Sequence, residues 1–269
     1  MRKVIGIGET ILDIIFRGNQ PSAAVPGGSV FNGIVSLGRM GIKVGFISET
    51  GNDRVGNIIL QFMRENNIPT DHVNVFPDGK SPVSLAFLNE QSDAEYIFYK
   101  DYPKQRLDVL YPKLEEDDIV MVGSYYALNP VLSENLEYAD IVRGSLEDFF
   151  YMYGLQDVDK IYKDKIKFYC PRFICTAGGD KVSLRTNLVS KEYPIEPLEA
   201  VSTIGAGDNF NAGLIYGLLK YDVRYRDLNN LNEEVWDKVV QCGKDFAAEV
   251  CRSFSNSVSV EFAGQYASK

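Results

Sequence analysis

The stretch Thr203-Ile204-Gly205-Ala206-Gly207-Asp208-Asn209-Phe210 places two glycines and an alanine directly before an apolar pattern of helical period. Because Phe210, Leu214 and Leu218 recur at intervals of four, the pattern predicts a helix from about Asp208 to Lys220. Small residues leave backbone N–H groups accessible at the positive end of the helix dipole. The stretch therefore predicts an anion site, typical of phosphate binding, beside a carboxylate.

A plainer interpretation of the same stretch is a tight turn at a helix entry. Gly205 and Gly207 would permit the turn, and Asp208 would be a first-turn acid that complements the helix dipole. The chain contains no Gly-x-x-x-x-Gly-Lys-Ser/Thr motif, and the stretch lacks the third glycine of Gly-x-Gly-x-x-Gly. An anion site here must therefore be of another kind.

Residues Ile204 to Phe210 resemble the C-terminal signature of the ribokinase-like, or phosphofructokinase-B, carbohydrate kinase family. Residues Gly27 to Gly41 resemble the N-terminal signature of that family, and the two stretches stand in the expected order. The resemblance covers nearly the whole chain. It implies one ribokinase-like α/β domain over residues 1–269, with a three-layer, parallel-type sheet flanked by helices and a small β-sheet lid.

Length and charge narrow the classes of function. The 269 residues suffice for one large α/β domain with a full hydrophobic core. The 28 basic and 37 acidic residues give a formal net charge of −9, with no basic stripe for nucleic acid. Glu9 precedes any signal-peptide core, and no apolar run has the length of a membrane span. We expect small-molecule partners, and neither nucleic acid nor membrane.

The cysteines and the single histidine exclude two further kinds of chemistry. The four cysteines have neither Cys-x-x-Cys spacing nor the density of a disulfide framework, so we expect free thiols in a reducing cytoplasm. His72 follows Pro69 and Asp71 in a turn-like stretch, which predicts a surface position. A catalytic Ser-His-Asp triad and a metal site built on histidines are therefore not expected.

Strand and helix patterns alternate along the chain. β-rich residues 4–15 precede a helical pattern over Ser29–Met40, which Gly41 ends, and a second strand and helix follow. This alternation predicts a parallel sheet covered on both faces. A dinucleotide-binding strand with Gly6-x-Gly8 is the alternative, but its third glycine would fall at Ile11, where the sequence stays strand-like.

Two segments, residues 14–26 and 83–102, depart from this alternation. In the second segment, apolar side chains alternate on both sides of the turn Asn89–Asp93, which predicts antiparallel strands off the main sheet. The family resemblance implies that these strands form a lid over the sugar, through which two subunits of a homodimer would pair. An ordinary edge hairpin is the alternative.

The connection after the strand pattern Ile119–Val122 is short. Residues Asn129–Leu136 separate it from the next apolar run, Ala139–Val142, whereas a parallel crossover needs about a dozen residues or more, usually with a helix. The resemblance implies a helix, a strand and a further helix in this interval. We therefore predict a missing segment near the Leu132/Ser133 junction. Either the protein contains further residues there that the continuous numbering leaves out, or the segment is genuinely deleted.

Phosphoryl transfer from ATP needs an acceptor hydroxyl held in line, a base for its proton, and neutralisation of the transferred charge. Asp208 is the candidate base, and the amides of Gly205, Ala206 and Gly207 would face the γ-phosphoryl oxygens. Mg²⁺ would bridge the phosphates. By resemblance, Asp13 and Asn32 would bind sugar hydroxyls, although alone Asp13 could end a strand and Asn32 could face solvent. The candidate sugar-binding residues are Asp13, Gly27, Gly28, Asn32 and Phe98.

The stretch Thr176–Lys181 resembles the Thr-x-Gly-x-x-Gly nucleotide loop of the family, with the last glycine replaced by lysine. It is also a good hairpin turn, and both interpretations can hold. Near the C-terminus, Ala248 and Asn256 fall where relatives enclose the adenine, although generic helix packing explains them equally well. The candidate nucleotide-binding residues are Thr176, Gly178, Gly179, Ala248 and Asn256.

Two departures from the family pattern concern metal ions. Residues Arg143–Glu147 fall where many relatives carry Asn-x-x-Glu, a motif associated with Mg²⁺; Glu147 matches, as a contact through water, and Gly144 does not. A solvated first-turn acid is the alternative for Glu147. Ser202 replaces an aspartate that often helps to bind a monovalent cation in the family, which makes potassium activation doubtful.

These features predict an ATP-dependent kinase that phosphorylates a primary hydroxyl of a small sugar. Fructose is the leading acceptor, because Gly28-Ser29-x-Phe31-Asn32 and Tyr96-Ile97-Phe98-Tyr99 resemble fructokinases. Acceptors such as 2-keto-3-deoxygluconate, ribose and nucleosides stay open, since acceptor choice depends on the lid and the pocket. A non-catalytic sugar- or nucleotide-binding regulatory protein is the alternative of another class, motivated by Gly144, Ser202 and the short connection.

Overall fold

The computed structural model describes residues 2–104, 106–123 and 132–268. The strands are β1 (Val4–Ile7), β2 (Ile11–Arg17), β3 (Gln20–Gly27), β4 (Val44–Gly51), β5 (Val73–Phe76), β6 (Lys80–Leu88), β7 (Ala94–Asp101), β8 (Ile119–Val122), β9 (Val142–Ser145), β10 (Phe173–Ala177), β11 (Lys181–Arg185) and β12 (Ser190–Pro194). The α-helices are α1 (Ser29–Arg39), α2 (Arg54–Glu65), α3 (Leu132–Glu137), α4 (Leu146–Tyr153), α5 (Val158–Ile161), α6 (Ala206–Lys220), α7 (Glu233–Val250) and α8 (Val260–Ala267). A π-helical turn spans Tyr162–Ile166, and a 3-10 helix spans Tyr225–Asn230.

The strands form three four-stranded sheets, ordered β5-β4-β1-β8, β12-β11-β10-β9 and β3-β2-β6-β7. All strand pairs of the first sheet are parallel, as the alternation of strands and helices predicts. In the second sheet β9 and β10 are parallel, and β11 and β12 extend it as an antiparallel meander. The predicted α/β class, a parallel-type sheet with helices and a separate small sheet, is confirmed.

The third sheet is the lid that the sequence predicts from residues 14–26 and 83–102. Its strands begin earlier, at Ile11 and Lys80, because β2 pairs with β3 from Ile11 onward and with β6 from Leu12 onward. Strand β7 is the outer edge of this sheet and, among the described strands, pairs only with β6. Ile97 and Tyr99, on one face of β7, are 48% and 59% exposed.

Helix α6 fixes its own position by packing into two hydrophobic cores. Ala212, Ile215 and Tyr216 belong to a core with α1 and the first sheet. The same helix contributes Phe210, Leu214 and Leu218 to a second core, with the second sheet and Trp236 of α7. Side chains at intervals of three and four lie on one helix face, so these two sets form two apolar stripes. The N-terminus of α6 is therefore held from both sides.

The contact of α6 with α7 depends on one glycine in particular. A Cβ atom at Gly213 would lie 2.3 Å from the carbonyl oxygen of Cys242, closer than any real contact of that kind. The two helix backbones approach each other at this point, and only a hydrogen atom fits between them. This close approach packs the middle of α6 directly against α7.

Strands β8 and β9 are the facing edges of the first and second sheets, and no described strand pairs with both. A cavity of about 900 Å³ lies between them and is lined by residues of both strands, of α4 and of α6. Val120 and Val122 of β8 are half-exposed there. The main sheet is thus divided into two halves in the described part of the chain.

The predicted missing segment touches the limit of what the structure describes. The Leu132/Ser133 junction falls in α3 and adjoins residues 124–131, which lie outside the described residues. The missing segment and the single domain over residues 1–269 therefore stay predictions. Across the described ranges, no helix is both long enough and apolar enough to cross a membrane.

Candidate active site

The N-terminus of α6 leaves backbone amides open to a ligand. Gly205, the residue before the helix, has a φ of 77°, a left-handed conformation that favours glycine. The Ala206 amide donates to the Thr203 carbonyl at 3.1 Å, so this predicted anion contact is used within the turn. For the amides of Gly207 and Asp208, residues 2–104, 106–123 and 132–268 offer no hydrogen-bond acceptor. These two amides therefore remain available to a negatively charged group.

The two sequence signatures meet at Asp208. Asn32 of α1 donates a hydrogen bond from Nδ2 to Asp208 Oδ2 at 2.8 Å, across 176 residues of chain. Asp208 also lines the cavity between β8 and β9. Removal of the carboxyl from water raises the pKa of Asp208 to about 7, while the Asn32 hydrogen bond and the charge of Arg143 oppose this shift. A carboxyl with a pKa near neutrality is suited to general-base chemistry.

We expect the rate of phosphoryl transfer to rise with pH through the titration of Asp208. A base must be ionised to accept a proton, so kcat/KM should fall about tenfold per unit of pH below a pKa near 7. The measurement is a kcat/KM profile from pH 5 to pH 9 at saturating ATP. ADP binding over the same range is the control, and a profile that is flat between pH 5.5 and 8 contradicts the role of Asp208.

Asp13 forms a second buried carboxyl, on strand β2. It accepts hydrogen bonds from the Ser84 hydroxyl and from Asn256 Nδ2, the latter at 2.8 Å. Burial raises the pKa of Asp13 to about 6, against the effect of these two donors. A Cβ atom at Gly27 would lie 2.1 Å from Asp13 Oδ2, so only glycine fits beside this carboxyl. Asp13 therefore lies against open backbone, as expected for a residue that holds a polar ligand.

Gly28 is the residue before α1 and has a φ of 130°. A side chain at this position would meet the carbonyl oxygen of Glu9, with Cβ at 2.2 Å. The glycine pair thus lets β3 turn sharply into the helix that carries Asn32. The structure brings the predicted sugar-binding residues Asp13, Gly27, Gly28 and Asn32 to one place.

Asn256 connects this group to the N-terminus of α6. Its side-chain amide donates to Asp13, and its carbonyl oxygen accepts a hydrogen bond from Asn209 Nδ2 at 2.8 Å. Asn209 Nδ2 also donates to the Gly205 carbonyl. The Asn256 side chain thus lies against Asp13, a predicted sugar contact, and its predicted contact with adenine stays a prediction. Its Oδ1 atom is buried without a partner among the described residues.

The lid contributes Tyr96 and Phe98 from one face of β7. Their rings are stacked, with centroids 5.5 Å apart and an interplanar angle of 8°. Phe98, the predicted sugar contact, is half-exposed. Burial raises the pKa of the Tyr96 hydroxyl, and the charges of Asp13 and Asp208 raise it further. The charges of both carboxyls therefore act on Tyr96. Sequence analysis did not name Tyr96 as a site residue, although the alternation of side chains along β7 puts it on the same face as Phe98.

The predicted nucleotide loop is a hairpin turn between β10 and β11. Ala177 pairs with Lys181, and Gly178, with a φ of 53°, and Gly179 form the exposed turn. Thr176, at the end of β10, accepts a hydrogen bond from Arg143 Nη2 at 2.6 Å. The hairpin interpretation is confirmed, and the nucleotide role of Thr176, Gly178 and Gly179 stays a prediction.

Two acidic residues, Glu147 and Asp148, lie in the first turn of α4, and only Asp148 faces the cavity. Ser145 and Asp148 form a capping box: the Asp148 amide donates to the Ser145 hydroxyl at 3.0 Å, and the Ser145 amide donates to the Asp148 carboxylate at 2.8 Å. Asp148 lines the cavity. Glu147, the predicted water-mediated Mg²⁺ contact, is exposed and does not line it.

Protein-bound Mg²⁺ usually takes one or two carboxylates together with phosphates and water. Within the described ranges, no three His, Cys, Asp or Glu side chains are grouped to hold a metal by themselves. Asp148 and Asp208 both line the cavity, which suits a Mg²⁺ that arrives with a nucleotide. Ala248, on α7, is half-buried, and its predicted contact with adenine stays a prediction.

The candidate site thus combines open amides at a helix start, a carboxyl whose pKa is raised to about 7 by burial, and two stacked aromatic rings of β7. A family profile described as pfkB family carbohydrate kinase matches residues 1–129 and 115–262. The chain belongs to this family and is a sugar kinase. The two matched ranges overlap at residues 115–129, beside the short connection after β8.

Relatives within the family carry different acceptor names. A fructokinase of Rhizobium leguminosarum bv. trifolii is 24% identical, over 80% of this chain and 79% of its own. A 5-dehydro-2-deoxygluconokinase of Geobacillus thermodenitrificans is 26% identical, over 72% of each chain. A solved fructokinase double mutant of Vibrio cholerae O395, in a form with fructose, ADP and potassium ion bound, has a TM-score of 0.82 at 18% identity, over 97% of this chain and 95% of its own. At this identity the solved structure establishes the fold alone.

Proposed function

We propose that this sugar kinase transfers the γ-phosphoryl group of ATP to a primary hydroxyl of a small sugar, with fructose as the leading acceptor. The observation that carries the proposal is the hydrogen bond from Asn32 to Asp208 beside the open amides of α6. In the proposal Asp208 is the base, Asn32 of α1 is its polar anchor, and the amides of Gly207 and Asp208 are the anion site. Such an arrangement serves the three requirements of phosphoryl transfer.

In this proposal the acceptor hydroxyl lies between Asp208 and the γ-phosphorus. Asp208 accepts the proton of the hydroxyl as the new oxygen–phosphorus bond forms, and the bond to the β-phosphate oxygen breaks to release ADP. The amides of Gly207 and Asp208 donate to the transferred oxygens. Asp13, fixed by Ser84 and Asn256, holds another hydroxyl of the sugar. Asp148 and the phosphates would hold Mg²⁺, which would supply positive charge there.

Two observations support fructose as the leading acceptor. The stretches Gly28–Asn32 and Tyr96–Tyr99 resemble fructokinases, and one of the aligned relatives is a fructokinase. The 5-dehydro-2-deoxygluconokinase name favours a second candidate, a keto sugar acid. Ribose and nucleosides are further candidates, and the cytoplasm is the proposed location.

A panel of ketoses, aldoses, keto sugar acids and nucleosides in a coupled ADP-release assay tests the acceptor. We expect fructose to give the highest kcat/KM at saturating MgATP. A higher value for a keto sugar acid would replace fructose while keeping the kinase mechanism. Equal and negligible rates throughout would favour the binding-protein alternative.

The same assay in sodium chloride or in potassium chloride tests whether a monovalent cation activates the enzyme. Because the buried Ser202 replaces the aspartate that often helps to bind this cation, we expect the same kcat/KM in both salts.

We also propose that β7 pairs two subunits through the lid. Ile97 and Tyr99 present an exposed apolar face on the side of β7 away from Tyr96 and Phe98, and no strand of the described ranges pairs with the outer edge of β7. The double substitution Ile97→Asp and Tyr99→Asp should convert a dimer into a monomer in sedimentation or light scattering. Tyr151→Asp, at an exposed aromatic residue of α4, is the matched control. A wild-type protein that is monomeric at tens of micromolar rejects the pairing.

A further inference from the structure

Arg143, on strand β9, has its guanidinium group beside the open amides of α6. A Cβ atom at Gly207 would lie 3.0 Å from Arg143 Nη1, so the glycine leaves room for the cation. Nη2 donates to the Thr176 hydroxyl, and the guanidinium carbon lies 5.5 Å from the centroid of the Phe210 ring. Packing on two sides and one hydrogen bond therefore fix the side chain at the start of the helix.

The hydrogen bonding of this guanidinium is incomplete. Arg143 Nε has no contact with solvent and no acceptor among the described residues. Arginine carries five N–H donors in a planar fork, and a buried donor without a partner costs free energy. A ligand that accepts hydrogen bonds at this place would remove that cost.

The charge of Arg143 is also uncompensated. Within the described residues no carboxylate forms an ion pair with it, although buried cations are normally paired. Asp208 and Asp148 act on it only at longer range, and burial lowers the pKa of the guanidinium. The cation moreover stands at the positive end of the α6 dipole, where a negative group is preferred.

We propose that Arg143 is a further catalytic residue, which binds the γ-phosphoryl group of the nucleotide together with the amides of Gly207 and Asp208. This proposal rests on the proposed function of the site. During transfer, negative charge spreads over the three equatorial oxygens of the phosphoryl group, and a guanidinium fork matches two such oxygens. The oxygen–phosphorus bonds form and break as described above, and Arg143 neither gives nor takes a proton.

Position 207 affects how closely the cation approaches the helix start. A Cβ atom there would lie 3.0 Å from Arg143 Nη1 and 3.1 Å from Nη2, so the guanidinium would have to shift by a few tenths of an ångström. Glycine at this position lets the cation stay next to the open amides. The carboxylate of an acidic sugar is the alternative ligand for the Arg143 cation. Measurements of nucleotide binding without sugar distinguish this carboxylate from the γ-phosphoryl group.

The test compares nucleotides that differ only in the presence of a γ-phosphoryl group. AMP-PNP and ADP, each with Mg²⁺, are titrated into the wild type, Arg143→Lys and Arg143→Gln. We expect Arg143→Gln to weaken AMP-PNP binding at least tenfold more than ADP binding, with Arg143→Lys in between. Equal losses for both nucleotides, or none, overturn the proposal. The comparison needs no acceptor sugar, so it stands even if every sugar of the panel fails.

Turnover gives the second readout. With the acceptor that the wild type uses, Arg143→Gln should lower kcat about 10²–10³-fold, the scale of one lost donor to a developing oxyanion, and leave the KM of the sugar within threefold. A raised KM for an acidic sugar with an unchanged AMP-PNP preference assigns Arg143 to the acceptor and overturns the proposal. Arg172→Gln is the matched control, because Arg172 is a buried arginine that bonds Asn229 away from the cavity. It should lower the melting temperature and leave the nucleotide preference unchanged.

Discussion

Replacing Asp208 with asparagine is expected to lower kcat about 10²–10⁴-fold while the dissociation constant of ATP stays within threefold. The substituted amide keeps the size of the carboxyl and can still bond Asn32, but it accepts no proton. Steady-state kinetics and a nucleotide titration on the same preparation measure the two quantities. Turnover close to that of the wild type would remove Asp208 from the role of base.

The same substitution should raise the melting temperature at alkaline pH. The pKa of Asp208 is about 7 in the folded chain, above its ordinary value near 4, so the folded state binds the proton more tightly. Ionisation therefore costs folding free energy, and this cost grows as the pH rises from about 4 to about 7. Thermal melts at pH 8 and pH 5 should show a gain for Asp208→Asn that is larger at pH 8. A loss of stability at both values would indicate misfolding and make the kinetic result uninformative.

Asp13→Asn is expected to lower kcat/KM for the sugar about 10–10²-fold, the scale of one lost hydrogen bond to a charged group. The loss should appear mainly in the KM of the sugar, because Asp13 is proposed to bind a sugar hydroxyl and has no proposed contact with the phosphates. The KM of ATP should change less than threefold. Kinetics with each substrate varied in turn measure both values.

A structural control separates this effect from destabilisation. Asp53, the residue before α2, accepts hydrogen bonds from the amides of Gly56 and Ser81, and it lies outside the site. Asp53→Asn should cost about 1 kcal/mol of stability, as for a weakened helix cap, and leave both KM values unchanged. If Asp13→Asn behaves like Asp53→Asn, Asp13 is a structural residue and the sugar is held elsewhere.

Much of this fold follows from local patterns in the sequence. The helical period after Asp208 predicted α6 to within two residues at its start, and Gly41, with a φ of 75°, ends the pattern of α1 as expected. Both helices have strong turn residues at one end and a continuous apolar face. The lid hairpin around Asn89–Asp93 was also predictable, because strand alternation and turn residues agree there.

The contacts between distant residues could not be predicted in the same way. Asn256 lies 243 residues from Asp13 along the chain, and a loop rich in serine gives no period from which its partner could be inferred. Arg143 stands on a strand whose pattern predicts only burial. Its approach to Gly207 depends on how β9 and α6 pack together. The division of the main sheet between β8 and β9 likewise belongs to tertiary structure.

The double role of α6 limits what random mutagenesis can reveal about this enzyme. A screen for inactive variants should collect changes along the whole helix, because Phe210 and Gly213 pack it into the protein and Asp208 is the proposed base. Loss of colour or growth alone would merge the two causes. Only the first turn, where Gly207 and Asp208 carry open amides, offers positions at which inactive yet abundant protein should accumulate.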